Sequence, residues 1–150
     1  MRVETVSSPH IFPAVSNRCF ACGQDHPCGL HLSFAESGAG EVRSNWRPET
    51  QWEGFRGVIH GGIVSTVLDE AMSKAAATGG TPAYTCDLRV RLKRHVTPGE
   101  RLEVRGWVVD RTKRKVLTEA TISDAGGCEL AHAWATFLEV PGGRAVGDER

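Results

Sequence analysis

Hydrophobic positions recur with helical spacing in one long stretch, residues 57–77, near the middle of the chain. Gly79, Gly80 and Pro82 follow this stretch and are typical of a helix end. The recurrence i, i+3, i+4, i+7 predicts an amphipathic helix that is mostly buried. Its apolar positions are Ile63, Val64, Val67, Leu68, Ala71, Met72, Ala75 and Ala76.

Alternating apolar and polar positions predict strands on both sides of this helix. Residues 30–34 and 41–46 alternate around a glycine-containing turn and predict a hairpin. Four strand-like runs follow the helix. The first has the strictest alternation of apolar and polar residues, and the last is apolar on both faces and should be a central strand. These runs are residues 83–94, 101–110, 116–123 and 128–140. The pattern predicts an α+β fold in which about six antiparallel strands curve around one helix.

Length and charge limit the classes of protein to which the chain can belong. With 150 residues it fits one domain, and we expect an N-terminal arm at 1–18, the domain at 19–140 and a flexible tail at 141–150. The formal net charge of +0 argues against nucleic-acid and membrane-surface partners. No apolar run reaches the ~18 residues of a membrane helix, and the start lacks a secretory signal. We therefore expect a cytoplasmic protein.

The cysteines favour reduced thiols over a disulfide framework. Their number, five, is odd, and the chain shows no export signal. Cys19, Cys22 and Cys28, with His26 and His31 nearby, raise the question of zinc. Three cysteines within ten residues leave no room for the loop that usually separates two ligand pairs, so we expect a turn whose thiols pack under the sheet. No metal or other cofactor is predicted.

The start of the predicted helix carries groups suited to binding a polarised carbonyl. His60, Gly61 and Gly62 place glycines where a helix leaves backbone N–H groups unpaired. An N–H aimed at a developing oxyanion contributes roughly 3–4 kcal/mol in comparable sites. The alternative is that the glycines only let the helix start pack closely, and that His60 braces the turn.

Two adjacent carboxylates, Asp69 and Glu70, lie in the middle of the helix. Glu70 has Lys74 four residues later, which favours a helix ion pair. Asp69 has no basic residue at i±3 or i±4 and flanks the apolar stripe. Asp69 is therefore the candidate nucleophile or general base, and a solvated aspartate is the alternative.

These features resemble a known family, the hotdog-fold acyl-CoA thioesterases of the phenylacetate-type, PaaI-like branch. The shared features are the His-Gly-Gly turn with its lead-in at 54–59, an aspartate nine positions after His60, the CFACG segment at 19–23 and the following Gly29-Leu30. The resemblance runs from about residue 19 to residue 140. It implies a hotdog fold and hydrolysis of an acyl-CoA thioester to a free acid and coenzyme A. This chain departs in having no asparagine near Gly54, and Cys28 lies outside the family pattern.

The resemblance also implies roles for single residues. Asp69 corresponds to the catalytic acid, and Thr85 to a residue that holds the attacking water. Strict alternation, however, places Thr85 on the same strand face as Arg89 and Arg91, and threonine is also a common strand residue. The pocket walls and the coenzyme A contacts are predicted at Gly62, Trp52, Phe55, Arg89, Arg111, Lys113 and Arg114.

Helix geometry predicts that the site needs two chains. Gly61 and Asp69 lie eight residues apart, about 12 Å along a helix axis, which is too far for both to act on one thioester. We expect a homodimer in which Gly61 of one chain meets Asp69 of the other, paired through the strand at 83–94, and members of the resembled family often double again to a tetramer. Two other functions stay open, an enoyl-CoA hydratase or dehydratase and a non-catalytic acyl-CoA-binding or zinc-holding hotdog protein.

Overall fold

The computed structural model describes residues 18–140, which form one helix and six strands. The predicted arm at 1–18, except its last residue, and the tail at 141–150 lie outside this range, so both stay predictions. The elements in chain order are β1 (Ala35–Gly38), β2 (Glu41–Trp46), a short 3-10 helix (Thr50–Trp52), α1 (Gly61–Ala77), β3 (Ala83–Leu92), β4 (Leu102–Thr112), β5 (Lys115–Asp124) and β6 (Glu129–Glu139).

All neighbouring strands are antiparallel, and the sheet order is β1-β2-β4-β5-β6-β3. The predicted α+β architecture is therefore confirmed. The last strand, β6, lies between β5 and β3, which agrees with its apolar character on both faces. The run with the strictest alternation, β3, forms one edge of the sheet.

Helix α1 packs closely on the sheet because its buried face is rich in alanine. Its fully buried side chains include Leu68, Ala71, Met72 and Ala75. Opposite Ala71, the sheet carries Gly106, where an added Cβ would lie 2.5 Å from the Ala71 carbonyl oxygen. Only glycine fits this approach, so the spacing between the helix and β4 is fixed by two small residues.

The predicted first strand is wrong. Residues 30–34 were expected to pair with β2, but the strand that does so is Ala35–Gly38. The apolar side chains of Leu30 and Leu32 enter the core, while their N–H groups bond to the carbonyls of Phe20 and Ala21. Their alternation therefore reflects burial beside another loop, which resembles a strand pattern in sequence.

Within residues 18–140, no helix has the length and apolar character needed to cross a bilayer.

Candidate active site

The N-terminus of α1 is capped by a side chain of the His-Gly-Gly turn. His60 Nδ1 accepts a hydrogen bond from the Gly62 N–H at 2.9 Å, and the His60 carbonyl accepts from Ile63 and Val64. In the described part of the chain, nothing accepts from the Gly61 N–H. The turn thus uses the imidazole to fix the helix start and leaves the first N–H open to an outside acceptor.

Leu92, at the end of β3, borders this open N–H. A Cβ built on Gly61 would lie 2.9 Å from Leu92 Cδ1. The Leu92 side chain is 51% exposed, so it is able to rotate away from Gly61. Nothing in the sequence marked Leu92, because it reads as one more apolar position in an alternating strand.

Asp69 and Thr85 meet on the face of the sheet that carries α1. The Thr85 hydroxyl donates to Asp69 Oδ1 at 2.8 Å, joining α1 to the start of β3. Burial raises the pKa of Asp69 above its usual value, the Thr85 hydrogen bond opposes that rise, and the charge of Glu70 adds to it. The arrangement is a partly desolvated carboxyl group held in one orientation by a hydroxyl.

A β-bulge explains how Thr85 reaches Asp69. In β3, Thr85 pairs with Phe137 of β6, whereas Asp87 already pairs with the next residue along β6, Thr136. The extra residue turns Thr85 to the side of fully buried Phe137, opposite to the face that carries Arg89. The expectation from strict alternation is therefore wrong, because a bulge resets the two-residue period without a signal in the sequence.

The second carboxylate of the helix has the predicted partner. Lys74 Nζ lies 3.5 Å from Glu70 Oε1, one turn further along α1. This confirms the predicted ion pair.

The two predicted pocket aromatics lie in different environments. Trp52 is buried in the core at 8% exposure, and its carbonyl accepts from the His60 N–H at 2.9 Å. Phe55 is 86% exposed in the loop between the 3-10 helix and α1. Trp52 supports the helix start, whereas only Phe55 is accessible for contact with a ligand or a second chain.

The basic turn between β4 and β5 lies at the far end of α1. Arg111 donates to Glu139 Oε1 at 2.7 Å and to the Ala76 carbonyl at 3.0 Å, near the helix C-terminus. Arg114 donates to the Glu139 carbonyl at 3.3 Å, and Lys113 is exposed. Because α1 has 17 residues, this turn is roughly 24 Å from Gly61 of the same chain. One chain does not bring these predicted residues together.

Arg89 lies on the outer face of the sheet. Its guanidinium carbon is 5.1 Å from the centre of the Trp134 ring. It therefore stacks on the side opposite to Asp69 and Thr85 within one chain.

Solved thioesterases are similar in fold. One thioesterase superfamily protein superposes with a TM-score of 0.74 at 24% identity, over 79% of this chain and 61% of that one, so the chain spans about three fifths of its length. PaaI from the E. coli phenylacetic acid degradation operon gives 0.70 at 16% identity, over 74% and 80%. A hypothetical thioesterase with coenzyme A from Streptococcus pneumoniae gives 0.69 at 16%, over 73% and 85%. The predicted hotdog fold is confirmed.

The pneumococcal protein has also been crystallised with alanine at an aspartate and, separately, at a threonine 16 positions later. Curated protein sequences give no significant match. The sequence profile described as "Thioesterase superfamily" matches residues 56–131, which include α1, β3, β4 and β5. The match covers just over half of the chain, which therefore belongs to the thioesterase superfamily.

Proposed function

We propose that the protein hydrolyses an acyl-CoA thioester to a free acid and coenzyme A, with Asp69 as general base or nucleophile. The observation that carries the proposal is the partly buried Asp69 carboxyl group held by Thr85 at 2.8 Å. A desolvated, oriented carboxylate is the group that either role requires. As a base, Asp69 takes a proton from water that attacks the thioester carbon; as a nucleophile, it forms an anhydride that water cleaves.

Thr85 positions the reacting groups in this proposal. Its hydrogen goes to Asp69, so its oxygen lone pairs remain for a water molecule. The Gly61 N–H polarises the thioester carbonyl, since the His60 cap uses the neighbouring N–H of Gly62 and leaves that of Gly61 open. Loss of one such donor costs about 2.7–4 kcal/mol in known oxyanion holes.

Relatives support the choice of substrate class. The pneumococcal structure contains coenzyme A, and its aspartate and threonine variants show the same 16-residue separation as Asp69 and Thr85. PaaI is among the similar folds, and we assign the chain to the PaaI-like branch as part of the proposal.

The proposed active unit is a homodimer with two sites at its interface. Asp69 lies about 12 Å along α1 from Gly61, so one chain does not place both at one carbonyl. Edge strand β3 leaves Leu88 39% and Leu92 51% exposed, and a ten-residue edge strand with exposed apolar side chains is a surface for strand pairing. Antiparallel pairing about a twofold axis would bring Gly61 of one chain to Asp69 of the other, and two dimers forming a tetramer would leave these sites intact.

Partner contacts also bear on the coenzyme A tail. The basic turn at 111–114 is far from Gly61 in its own chain, so its role in holding phosphates depends on the assembly. Lys113 is exposed and Phe55 is accessible, and we propose these two as contacts for the phosphates and the acyl group. Arg89, Arg111 and Arg114 already have partners within the chain.

The deciding experiment is hydrolysis of a panel of aromatic and aliphatic acyl-CoAs, followed by release of free thiol. We expect at least one good substrate and a large loss of rate in Asp69→Ala. A matched control is Glu36→Ala, which removes an exposed carboxylate from β1 at the opposite edge of the sheet. No thiol release from any substrate, or a wild-type rate in Asp69→Ala, would refute the proposal. Loss of enoyl-CoA absorbance without thiol release would favour the hydratase.

Subunit mixing tests the shared site. Asp69→Ala chains and Gly61→Leu chains, carrying different tags, are exchanged and the mixed dimers purified. We expect mixed dimers with about half the wild-type activity, because one of two twofold-related sites has both groups intact. Mixed dimers as inactive as their parents, or an active monomer, would show that both groups do not act across an interface.

A further inference from the structure

A second group of chemically reactive side chains lies on another side of α1. Cys19 and Cys22 belong to the turn-rich segment before β1, and Glu70 belongs to the helix. One ligand atom from each residue lies within 4.8 Å of the other two. The sequence showed the two cysteines at metal-ligand spacing, but the third ligand comes from a distant part of the chain, which spacing does not reveal.

The dimensions of this cluster are close to those of a tetrahedral zinc site. Zinc binds thiolate sulfur at about 2.3 Å and carboxylate oxygen at about 2.0–2.2 Å, which puts neighbouring ligand atoms roughly 3.5–3.8 Å apart. A spread of at most 4.8 Å therefore closes by small side-chain rotations. Two cysteines separated by two residues have a spacing typical of structural zinc sites.

The charge around Glu70 favours a divalent cation. The Glu70 side chain is only 14% exposed, and its ammonium partner Lys74 lies at 3.5 Å. A carboxylate that faces two thiols in a partly buried site is costly unless it is neutralised. Two thiolates and one carboxylate carry three negative charges, which one Zn²⁺ and the Lys74 ammonium balance.

The cysteine turn is already held against the core without the metal. The Gly23 N–H donates to the Cys19 carbonyl at 2.8 Å and closes the turn. Ala21, between the two cysteines, is buried at 5% exposure, and its carbonyl accepts from Leu32 at 2.9 Å. A preformed arrangement lowers the cost of ordering the ligands when an ion binds.

We propose that Cys19, Cys22 and Glu70 bind one Zn²⁺, with water as the fourth ligand. Binding releases two thiol protons to solvent and involves no change of oxidation state. The ion links the segment before β1 to α1. Its ligand on the helix, Glu70, directly follows Asp69. None of the three ligands is among Asp69, Thr85 and Gly61, so the site stands whether or not the proposed hydrolysis is correct.

Metal analysis of the full-length chain tests the site. The protein is incubated with Zn²⁺, freed of excess metal and measured for zinc, and we expect about one ion per chain. The Cys19→Ser/Cys22→Ser double variant should lose it, whereas Cys28→Ser and Cys86→Ser, which alter exposed cysteines, should retain it. Glu70→Gln should weaken zinc affinity at least about tenfold against a chromophoric chelator.

Two further measurements keep the test independent of folding defects in the variants. Cobalt added to the metal-free wild type should give a thiolate charge-transfer band, and Zn²⁺ should raise the melting temperature of the wild type but not of the double variant. Zinc below about 0.2 equivalents in the wild type, or undiminished zinc in the double variant, overturns the proposal. A disulfide between Cys19 and Cys22, which makes the metal-free chain lighter by two hydrogens, would also overturn the proposal.

Discussion

The close approach of α1 to the sheet at Gly106 provides a quantitative test of how the fold positions Asp69. In Gly106→Ala the new Cβ would lie 2.5 Å from the Ala71 carbonyl oxygen and 2.7 Å from its carbonyl carbon. These are backbone atoms inside a helix, so they do not move away as a flexible side chain does. The whole helix must shift by about 0.5–1 Å before the contact becomes tolerable.

The sign and size of the stability change follow from this contact. Alanine in a strand interior normally gains roughly 0.5–1 kcal/mol over glycine, so without the helix the substitution should stabilise. Inserting a methyl group into a packed core costs typically 1–3 kcal/mol. The cost less the gain leaves a net loss of about 0–2.5 kcal/mol, and at roughly 2–4 °C per kcal/mol for a domain of this size we expect the melting temperature to fall by up to about 10 °C.

The same shift should impair hydrolysis, because Ala71 lies one half-turn after Asp69. Displacing the carboxyl group by nearly 1 Å from its hydroxyl partner is the kind of error that costs ~100-fold in rate. Gly38→Ala is the matched control, since its Cβ would meet Glu41 Cβ at 3.9 Å, an ordinary contact. Thermal denaturation and acyl-CoA hydrolysis report the two effects. A melting temperature above that of the wild type would refute the fixed spacing, because alanine would then stabilise the strand without a cost from the helix.

Three further predictions concern the site. If Asp69 is the base, the rate of hydrolysis falls as pH drops through the pKa of Asp69. Thr85→Ala removes the hydrogen bond that lowers this pKa, so the acid limb of the kcat/KM profile should move to higher pH. An acid limb that does not move would exclude Asp69 as the titrating group. Burial raises the pKa of Asp69 in the folded state, so the free energy of unfolding falls as pH rises from 3.8 through the raised pKa. Asp69→Asn should therefore have a higher melting temperature than the wild type at pH 7, and this difference in melting temperature should shrink toward pH 4. Gly61→Ala should fold normally, since Leu92 can rotate, and it keeps the backbone N–H. Its methyl group should hinder approach of the thioester carbonyl to that N–H, so we expect kcat to fall by up to about 10²–10³, the cost of losing one such donor. Recovery in Gly61→Ala/Leu92→Ala would show that the loss came from crowding against Leu92.

The sequence predicted the parts of the fold that repeat with a regular period. The helix stripe and four of the strands repeat every 3.6 or two residues over eight or more positions, which is long enough to outweigh local noise. The hairpin strand failed because Leu30 and Leu32 alternate for a different reason, burial beside the segment that contains Phe20 and Ala21. Over five residues, burial of a loop and burial of a strand give the same pattern.

The candidate site shows the same limit at the level of single residues. Asp69 could be chosen over Glu70 because the Lys74 pair is a local, i+4 relation that a sequence displays. The Thr85 contact and the cluster of Cys19 with Glu70 are not local. They depend on a bulge and on the packing of a loop against a helix, and neither leaves a periodic trace in the sequence.

The bulge also suggests why the chemistry lies at edge strand β3. An extra residue between Thr85 and Asp87 breaks the ladder with β6, and because β3 is an edge strand this break affects only one neighbouring strand. At the edge, one side is free to adjust, so a hydroxyl can turn toward Asp69 without loss of the core. The same free side leaves Leu88 and Leu92 exposed. Because Leu92 also borders Gly61, a second chain that paired with this edge would cover both halves of the proposed site at once.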